Sequence, residues 1–124
     1  MPSIHVLLIE DEKQLQQYAS EALAKRGVKV SSAMNTIEAD RILGREKVDV
    51  IICDILMPAE NGLSYVRRLR ADGTQTPVIF LSALADEDVI KVGIDSGAAD
   101  YMIKPFDSEQ LYQRILQFVH PPEG

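Results

Sequence analysis

Residues 48–58 read VDVIICDILMP, and one carboxylate, that of Asp54, lies among apolar residues in this stretch. The residues before it, Val50 to Cys53, form a continuous apolar run. Such a run is typical of a strand that is buried on both faces of a parallel sheet. An ionised side chain directly after a buried strand costs free energy unless another group compensates its charge. The stretch therefore predicts a buried strand and a partner for Asp54.

The rest of the chain alternates similar runs with helical patterns. Apolar runs occur at residues 6–9, 78–81 and 101–103, and a weaker, alternating run at residues 28–30 is typical of a more exposed edge strand. Apolar residues recur with helical spacing between the runs, which predicts helices over residues 13–26, 36–46, 62–71, 86–96 and 107–119. This strict alternation of strands and helices predicts an α/β fold with right-handed crossovers.

Composition limits the class of protein. The chain has 124 residues, of which 46% are hydrophobic and 26% charged, which is typical of one globular domain. We expect its core to run from about residue 4 to 119, with residues 120–124 as a tail or linker stub. A formal net charge of −6 disfavours nonspecific binding to nucleic acid or an anionic membrane surface.

The N-terminus and the cysteine content bear on location. The chain begins without the basic region of a secretory signal, and no apolar run reaches the roughly 18 residues that a membrane span needs. Cys53 is the single cysteine, so an intramolecular disulfide is impossible and a reducing compartment is favoured. We therefore expect a cytoplasmic protein that does not associate with membranes.

Polar residues follow the predicted strands at the point where each strand ends. Glu10 and Asp11 follow the first strand, Asp54 the third, Ser82 the fourth and Lys104 the fifth. In open α/β sheets, ligands bind at the carboxyl ends of the strands, where the strand order reverses. If the strand order is 2-1-3-4-5, Asp11 and Asp54 lie side by side at that point.

This set of side chains suits phosphoryl transfer. Neighbouring carboxylates repel one another, and a hard divalent cation such as Mg²⁺ relieves the repulsion. Lys104 provides a positive charge for an anionic ligand, and Ser82 provides a hydroxyl donor. In this interpretation Asp54 is the nucleophile and forms an aspartyl phosphate.

Each of these residues also has a purely structural interpretation. Glu10 and Asp11 are acids of a kind favoured in the first turn of a helix. Asp54 could be a helix cap or a loop acid, Ser82 a turn residue and Lys104 a surface lysine. The coincidence of all these features at strand ends favours the functional interpretation.

The ordered set of motifs resembles the receiver domain of two-component response regulators. The motifs are Glu10-Asp11, Asp54 with Met57-Pro58, Asn61-Gly62, Leu81-Ser82-Ala83, Gly97-Ala98, Asp100-Tyr101 and Lys104-Pro105-Phe106, and they extend the match from about Ile4 to Val119. The resemblance implies a doubly wound, flavodoxin-like (βα)5 fold with a five-stranded parallel sheet in the order 2-1-3-4-5 and helices on both faces. It also implies a cis peptide bond between Lys104 and Pro105.

The resemblance implies roles for the acidic residues. Asp54 would accept a phosphoryl group from a sensor histidine kinase or a histidine phosphotransfer protein, in a reaction that depends on Mg²⁺. Asp11 and Asp54 would ligate the Mg²⁺ through their side chains, Leu56 through its backbone carbonyl, and Glu10 through a metal-bound water. The domain would be no enzyme for other substrates, because it would catalyse only its own phosphorylation and slow dephosphorylation.

The resemblance also implies a switch. Lys104 would pair with Asp54 and later with the phosphoryl group, and Ser82 would move to hydrogen-bond a phosphoryl oxygen. Tyr101 would rotate into the space that Ser82 leaves, which changes the surface of helix 4, strand 5 and helix 5. That surface is a candidate homodimer interface, and Tyr112 and Leu116 belong either to it or to the core.

Two further properties are the choice of kinase and the lifetime of the phosphoryl group. Kinase choice in the family rests largely on the first helix, here around residues 13–18, and the chain is either a single-domain regulator or part of a longer one. Leu56 and Leu84, two residues beyond Asp54 and Ser82, are apolar. We expect slow self-hydrolysis, because apolar side chains neither orient an attacking water nor leave it room.

Two other functions remain open. A haloacid-dehalogenase-like phosphatase carries a second acid two residues after its nucleophile, where this chain has Leu56. A receiver-like interaction module that takes no phosphate usually lacks the acceptor, the metal acid or the lysine, whereas Asp54, Asp11 and Lys104 are all present here.

Overall fold

A computed structural model describes residues 3–119 and shows a single parallel sheet whose strands have the order β2-β1-β3-β4-β5. The strands are His5–Ile9 (β1), Lys29–Ala33 (β2), Val50–Cys53 (β3), Val78–Ser82 (β4) and Asp100–Ile103 (β5). The helices are Lys13–Ala24 (α1), Thr36–Leu43 (α2), Gly62–Ala71 (α3), Glu87–Asp95 (α4) and Ser108–Leu116 (α5). The predicted fold class and strand order are confirmed, and the predicted tail at residues 120–124 lies outside the described residues.

The alternation of side chains along each strand divides the core into two layers. Leu7, Ile51 and Phe80 point to one face, where they pack with residues of α2 and α3. Leu8 and Ile52 point to the other face, where they pack with residues of α1 and α5. Because both faces are covered, the central strands consist of apolar residues without alternation, as the runs in the sequence predicted.

The predicted helices run past the observed ends by up to three residues. At the end of α1, the Arg26 backbone N–H donates to the Leu23 carbonyl at 3.0 Å, so the chain makes a tighter turn before Gly27, the residue that the prediction took as the end of the helix. The second strand was predicted at residues 28–30, but β2 continues to Ala33. Ser31 and Ser32 are polar but continue β2, because they pair in register with residues of β1 at the sheet edge.

The connection between β3 and α3 places Asp54 at the end of the sheet. Gly62 begins α3, and its backbone N–H donates to the Ile55 carbonyl at 2.8 Å. A Cβ atom at Gly62 would overlap the Asp54 backbone oxygen and lie 3.0 Å from Cα of Ile55. The absence of a side chain at this position therefore allows helix α3 to approach the residue that follows β3.

We expect the Gly62→Ala substitution to lower the free energy of unfolding by about 1–3 kcal/mol, because the added methyl group overpacks against rigid backbone. Gly44→Ala is the matched control, since its Cβ would lie no closer than 3.4 Å to any neighbour and its φ of −74° suits alanine. Urea denaturation of both variants measures the difference. Equal midpoints for Gly62→Ala and wild type would contradict the packing argument.

Candidate functional site

The strand ends bring the predicted site residues to one edge of the sheet. Ile9 of β1 pairs in register with Cys53 of β3, and the Asp54 backbone N–H donates to the Ile9 carbonyl at 3.2 Å. On the far side of β4, the Lys104 backbone N–H donates to the Ser82 carbonyl at 2.8 Å. The acids that follow β1 and β3 therefore face the serine and the lysine that end β4 and follow β5.

Three carboxylates converge at this edge. Oxygen atoms of Glu10, Asp11 and Asp54 all lie within 4.8 Å of one another. Glu10 and Asp54 are buried, at 2% and 7% exposure, whereas Asp11 is open to solvent. A hard divalent cation takes such a set of carboxylate oxygens and keeps some of its waters, for which the exposed side at Asp11 leaves access. The residues present therefore fit Mg²⁺.

Lys104 joins two of the carboxylates. Its Nζ donates to Oδ2 of Asp54 at 2.7 Å and to Oε1 of Glu10 at 2.7 Å. The resemblance led us to expect the contact with Asp54, but the sequence did not predict the contact with Glu10. The Lys104–Pro105 peptide bond is cis, as expected.

Burial and hydrogen bonding have opposite effects on the pKa values of Glu10 and Lys104. Burial raises the pKa of the Glu10 carboxyl, and hydrogen bonds from Lys104 and from the Glu12 backbone offset only part of the rise. Partial burial lowers the pKa of Lys104, but hydrogen bonds to Asp54 and Glu10 outweigh it and leave the pKa above its ordinary value. The ammonium group is therefore held in its charged form beside the acids.

Ser82 and Tyr101 both bond the backbone of Leu84. Oγ of the buried Ser82 accepts from the Leu84 N–H at 3.2 Å, and the Tyr101 hydroxyl donates to the Leu84 carbonyl at 2.6 Å. The Tyr101 ring is buried beside Phe80, with 6.1 Å between ring centroids, and a Cβ at Gly93 would lie 3.1 Å from it. Sequence reasoning missed Leu84 as a link, because its backbone atoms leave no signal in a side-chain pattern.

Glu10, Asp11 and Asp54 are not the N-cap residues of the helices that follow them. Glu12 is the N-cap residue of α1 and makes no side-chain capping bond. The cap of α3 is Asn61, whose side chain accepts from the Ser64 N–H at 2.9 Å. Asp54 instead accepts from the Leu56 N–H at 3.2 Å, and its other oxygen bonds Lys104.

A groove of about 430 Å³ adjoins the site. It is lined by Glu12, Leu15, Tyr18, Ala83, Lys104, Pro105 and Phe106. The rings of Tyr18 and Phe106 pack with 5.7 Å between centroids, and Lys13, Gln14 and Gln17 are exposed on α1. The groove therefore connects the Lys104 end of the site to the helix that sequence analysis associates with kinase choice.

Exposed apolar side chains occur on α4 and β5. These are Val92, Ile94 and Ile103. Tyr101 is a core residue, and Tyr112 and Leu116 are partly buried against the core layer of α1 and α5. Within residues 3–119, no helix has the length and apolar content to cross a membrane.

Comparisons with known proteins identify similar chains. A family model described as the response regulator receiver domain matches residues 6–116. The transcriptional regulatory protein DltR of Streptococcus agalactiae is 34% identical over 112 residues, which cover 90% of this chain and 50% of that protein. The chain thus spans about half the length of the curated relatives it matches.

Solved structures give the same result. The receiver domain of Francisella response regulator 1452 has a TM-score of 0.88 at 32% identity, with 92% of this chain and 94% of that chain covered. Chemotaxis protein CheY4 of Vibrio cholerae has a TM-score of 0.89 at 27% identity, with 95% of this chain and 100% of that chain covered.

We expect Glu10→Gln to raise the free energy of unfolding of the metal-free protein at pH 7. A folded-state pKa above the ordinary 4.5 means that folding favours the protonated carboxyl. That contribution is fully present below the unfolded pKa and is lost as pH rises through the folded pKa. The neutral amide of the variant keeps this stabilising contribution at pH 7. The difference in free energy of unfolding between the variant and wild type should therefore disappear below about pH 4.5.

Urea denaturation in EDTA at both pH values measures this difference. Glu109→Gln is the control with the opposite sign, because hydrogen bonds from Arg26 and Gln113 lower the pKa of the Glu109 carboxyl. A Glu10→Gln variant less stable than wild type at pH 7 would show that pairing with Lys104 outweighs burial.

Proposed function

Because the chain belongs to the response regulator receiver domain family, we propose that Asp54 accepts a phosphoryl group from a sensor histidine kinase or a histidine phosphotransfer protein. The observation that carries this proposal is the position of Asp54, buried at the sheet edge within hydrogen-bond distance of Lys104 and beside Glu10 and Asp11. An acceptor, a fixed cation and a set of metal ligands are the parts that phosphoryl transfer needs.

In the proposed reaction an Asp54 carboxylate oxygen attacks the phosphorus of a phosphohistidine on the donor protein. The new O–P bond forms as the P–N bond breaks. The electron pair of the P–N bond stays on the imidazole nitrogen, which takes a proton from solvent. Lys104 neutralises charge on the transferred group, because its ammonium already lies 2.7 Å from an Asp54 oxygen.

We infer that Asp11, Asp54 and the Leu56 carbonyl hold Mg²⁺, with Glu10 acting through a water. When bound, the cation offsets the negative charge of the carboxylates and of the phosphoryl oxygens. The Leu56 N–H donates to Asp54, so the residue that provides the carbonyl is already joined to the acceptor. The domain would catalyse only its own phosphorylation and slow dephosphorylation.

The contacts of Leu84 support a switch in which Ser82 and Tyr101 move together. The Ser82 hydroxyl would break its hydrogen bond with the Leu84 N–H and donate a hydrogen bond to a phosphoryl oxygen. Since Tyr101 bonds the carbonyl of the same residue, movement of Leu84 breaks that bond and frees the ring. The face of α4, β5 and α5 would then change shape.

The surfaces around the site suggest how partners bind. The groove between Tyr18 and Lys104 is the proposed approach for the phosphoryl donor, because it reaches the site from the exposed side of α1. The exposed apolar residues on α4 and β5 suit a target protein or a homodimer partner. We place the domain in the cytoplasm, and its net charge of −6 argues against direct nucleic acid binding.

Incubation with acetyl phosphate and Mg²⁺ should raise the intact mass by about 80 Da, one phosphoryl group on a covalent nucleophile. The gain should be absent without Mg²⁺ and absent in Asp54→Asn. Asp95→Asn, which changes an exposed acid on α4, should behave as wild type. No adduct together with no binding of beryllofluoride would favour an interaction module that takes no phosphate.

The phosphoryl group should persist for minutes or longer, because Leu56 and Leu84, two residues beyond Asp54 and Ser82, are apolar and do not orient an attacking water. Leu56→Asn should shorten the lifetime by giving an attacking water a polar partner. Ile37→Asn makes the same change at another exposed apolar residue, on α2, and should have no effect. Loss of mass or of radiolabel over time measures the rates, and a wild-type half-life of seconds would contradict the expectation.

A further inference from the structure

The loop between β3 and α3, residues 54–61, contains the carbonyl that the proposed function assigns to the metal. Its backbone turns sharply, with Ala59 in the left-handed region at a φ of 70°. The Glu60 N–H donates to the Pro58 carbonyl at 2.9 Å. Ile55 is buried in the core and Met57 packs against it, but Leu56 is 58% exposed and Pro58 and Ala59 are also exposed, so little packing holds the tip of the loop in place. Another contact must keep this conformation, since a left-handed alanine is disfavoured by its own backbone.

Glu60 provides that contact through Arg68 of α3. Nε of Arg68 donates to Oε2 of Glu60 at 3.2 Å, and Nη2 donates to Oε1 at 2.8 Å. Two parallel bonds fix the orientation of both planar groups, which a single contact does not. The far end of the loop is therefore attached to the second turn of the helix that follows it.

Arg68 is held by two further groups. Its Cζ lies 4.9 Å from the centroid of the Tyr65 ring, and Nη2 donates to Oδ2 of Asp40 at 3.1 Å. The Tyr65 hydroxyl donates to the other oxygen of Asp40 at 2.9 Å, and Tyr65 is fully buried. The guanidinium therefore has partners on α2 and α3 that restrict its orientation, although the Arg68 side chain is 45% exposed.

We propose that the Glu60–Arg68 pair is a positioning device that holds the β3–α3 loop, and with it the Leu56 carbonyl, in the conformation that receives the metal. The inference rests on the proposed function, because that function assigns the carbonyl to Mg²⁺. Neither Glu60 nor Arg68 contacts the acidic cluster of Glu10, Asp11 and Asp54 among the bonds that the structure describes.

Substitution of Arg68 separates positioning from simple electrostatics. Removing a positive charge near an acidic site should tighten the binding of a cation if charge alone matters. Loss of the pair should weaken binding if the loop must be held in place. The Arg68→Gln variant therefore gives opposite results under the two explanations, and Arg67→Gln makes the same charge change at the neighbouring exposed residue of the same helix.

The experiment is calorimetric titration of Mg²⁺ at constant ionic strength, with hydrogen exchange of the Leu56 and Glu60 amides in the metal-free protein. We expect Arg68→Gln to weaken Mg²⁺ binding about two- to fivefold, the range for a partly exposed ion pair, and to speed exchange of both amides. Glu60→Gln should give the same effects, and the double variant should be no worse than either single one. Arg67→Gln should bind as tightly as wild type or slightly more tightly.

Two results would overturn the inference. One is unchanged or tighter Mg²⁺ binding by Arg68→Gln, and the other is unchanged exchange of the loop amides in both single variants. If the wild-type protein bound no Mg²⁺, the proposed function would fail, and hydrogen exchange would still decide whether the pair orders the loop. Glu60→Gln leaves the contacts of Arg68 with Tyr65 and Asp40 in place and replaces Arg68→Gln if that variant does not fold. Loss of a carboxylate weakens cation binding under both explanations, so the decision then rests on hydrogen exchange of the loop amides, and unchanged exchange would overturn the inference.

Discussion

The ammonium of Lys104, placed between the carboxylates of Glu10 and Asp54, is the interaction on which the rest of the site depends. Two buried carboxylates at one sheet edge would repel each other, and removing one partner of a buried ion pair leaves an uncompensated charge. The strand order makes the contact possible, because β1 and β3 are neighbours and the long side chain of Lys104 reaches them across the end of β4. The apolar sequence around Asp54 is therefore compatible with a charged residue only in this topology.

The same edge couples the site to the surface of the domain. Leu84 lies two residues beyond Ser82, and its N–H and carbonyl bond Ser82 and Tyr101 respectively. The proposed switch would therefore connect Ser82 to Tyr101 through a single residue. Gly93 on α4 has no side chain to keep the Tyr101 ring from the helix, so the ring packs where α4 and β5 meet.

Much of the fold and part of the site could be predicted from the sequence, and the division has physical causes. The strand Val50–Cys53 was predicted correctly because burial on both faces requires a run of apolar residues. The prediction extended α1 to residue 26, two residues too far, because the tight turn that ends the helix leaves no break in the sequence before Gly27. The resemblance provided the strand order that brings Asp54 to Asp11. The Glu10–Lys104 contact, the Leu84 link and the Glu60–Arg68 pair were not predicted, because they join residues distant in sequence or involve backbone atoms.

The charges at the site support the role proposed for Ser82 in the reaction. Three carboxylates and one ammonium leave a formal charge of −2, which a divalent cation balances. Conversion of the Asp54 carboxylate to an acyl phosphate adds further negative charge. The lysine and the divalent cation already balance the carboxylates, so the added charge needs other groups to stabilise it. A buried anion is stable only when donors surround it. The Ser82 hydroxyl accepts a hydrogen bond from Leu84 and still has its own hydrogen to donate, so this buried neutral group at the end of β4 can provide a donor. In the proposed reaction the added charge would therefore favour movement of Ser82 toward the phosphoryl group, and the bonds of Leu84 to both residues would link that movement to Tyr101.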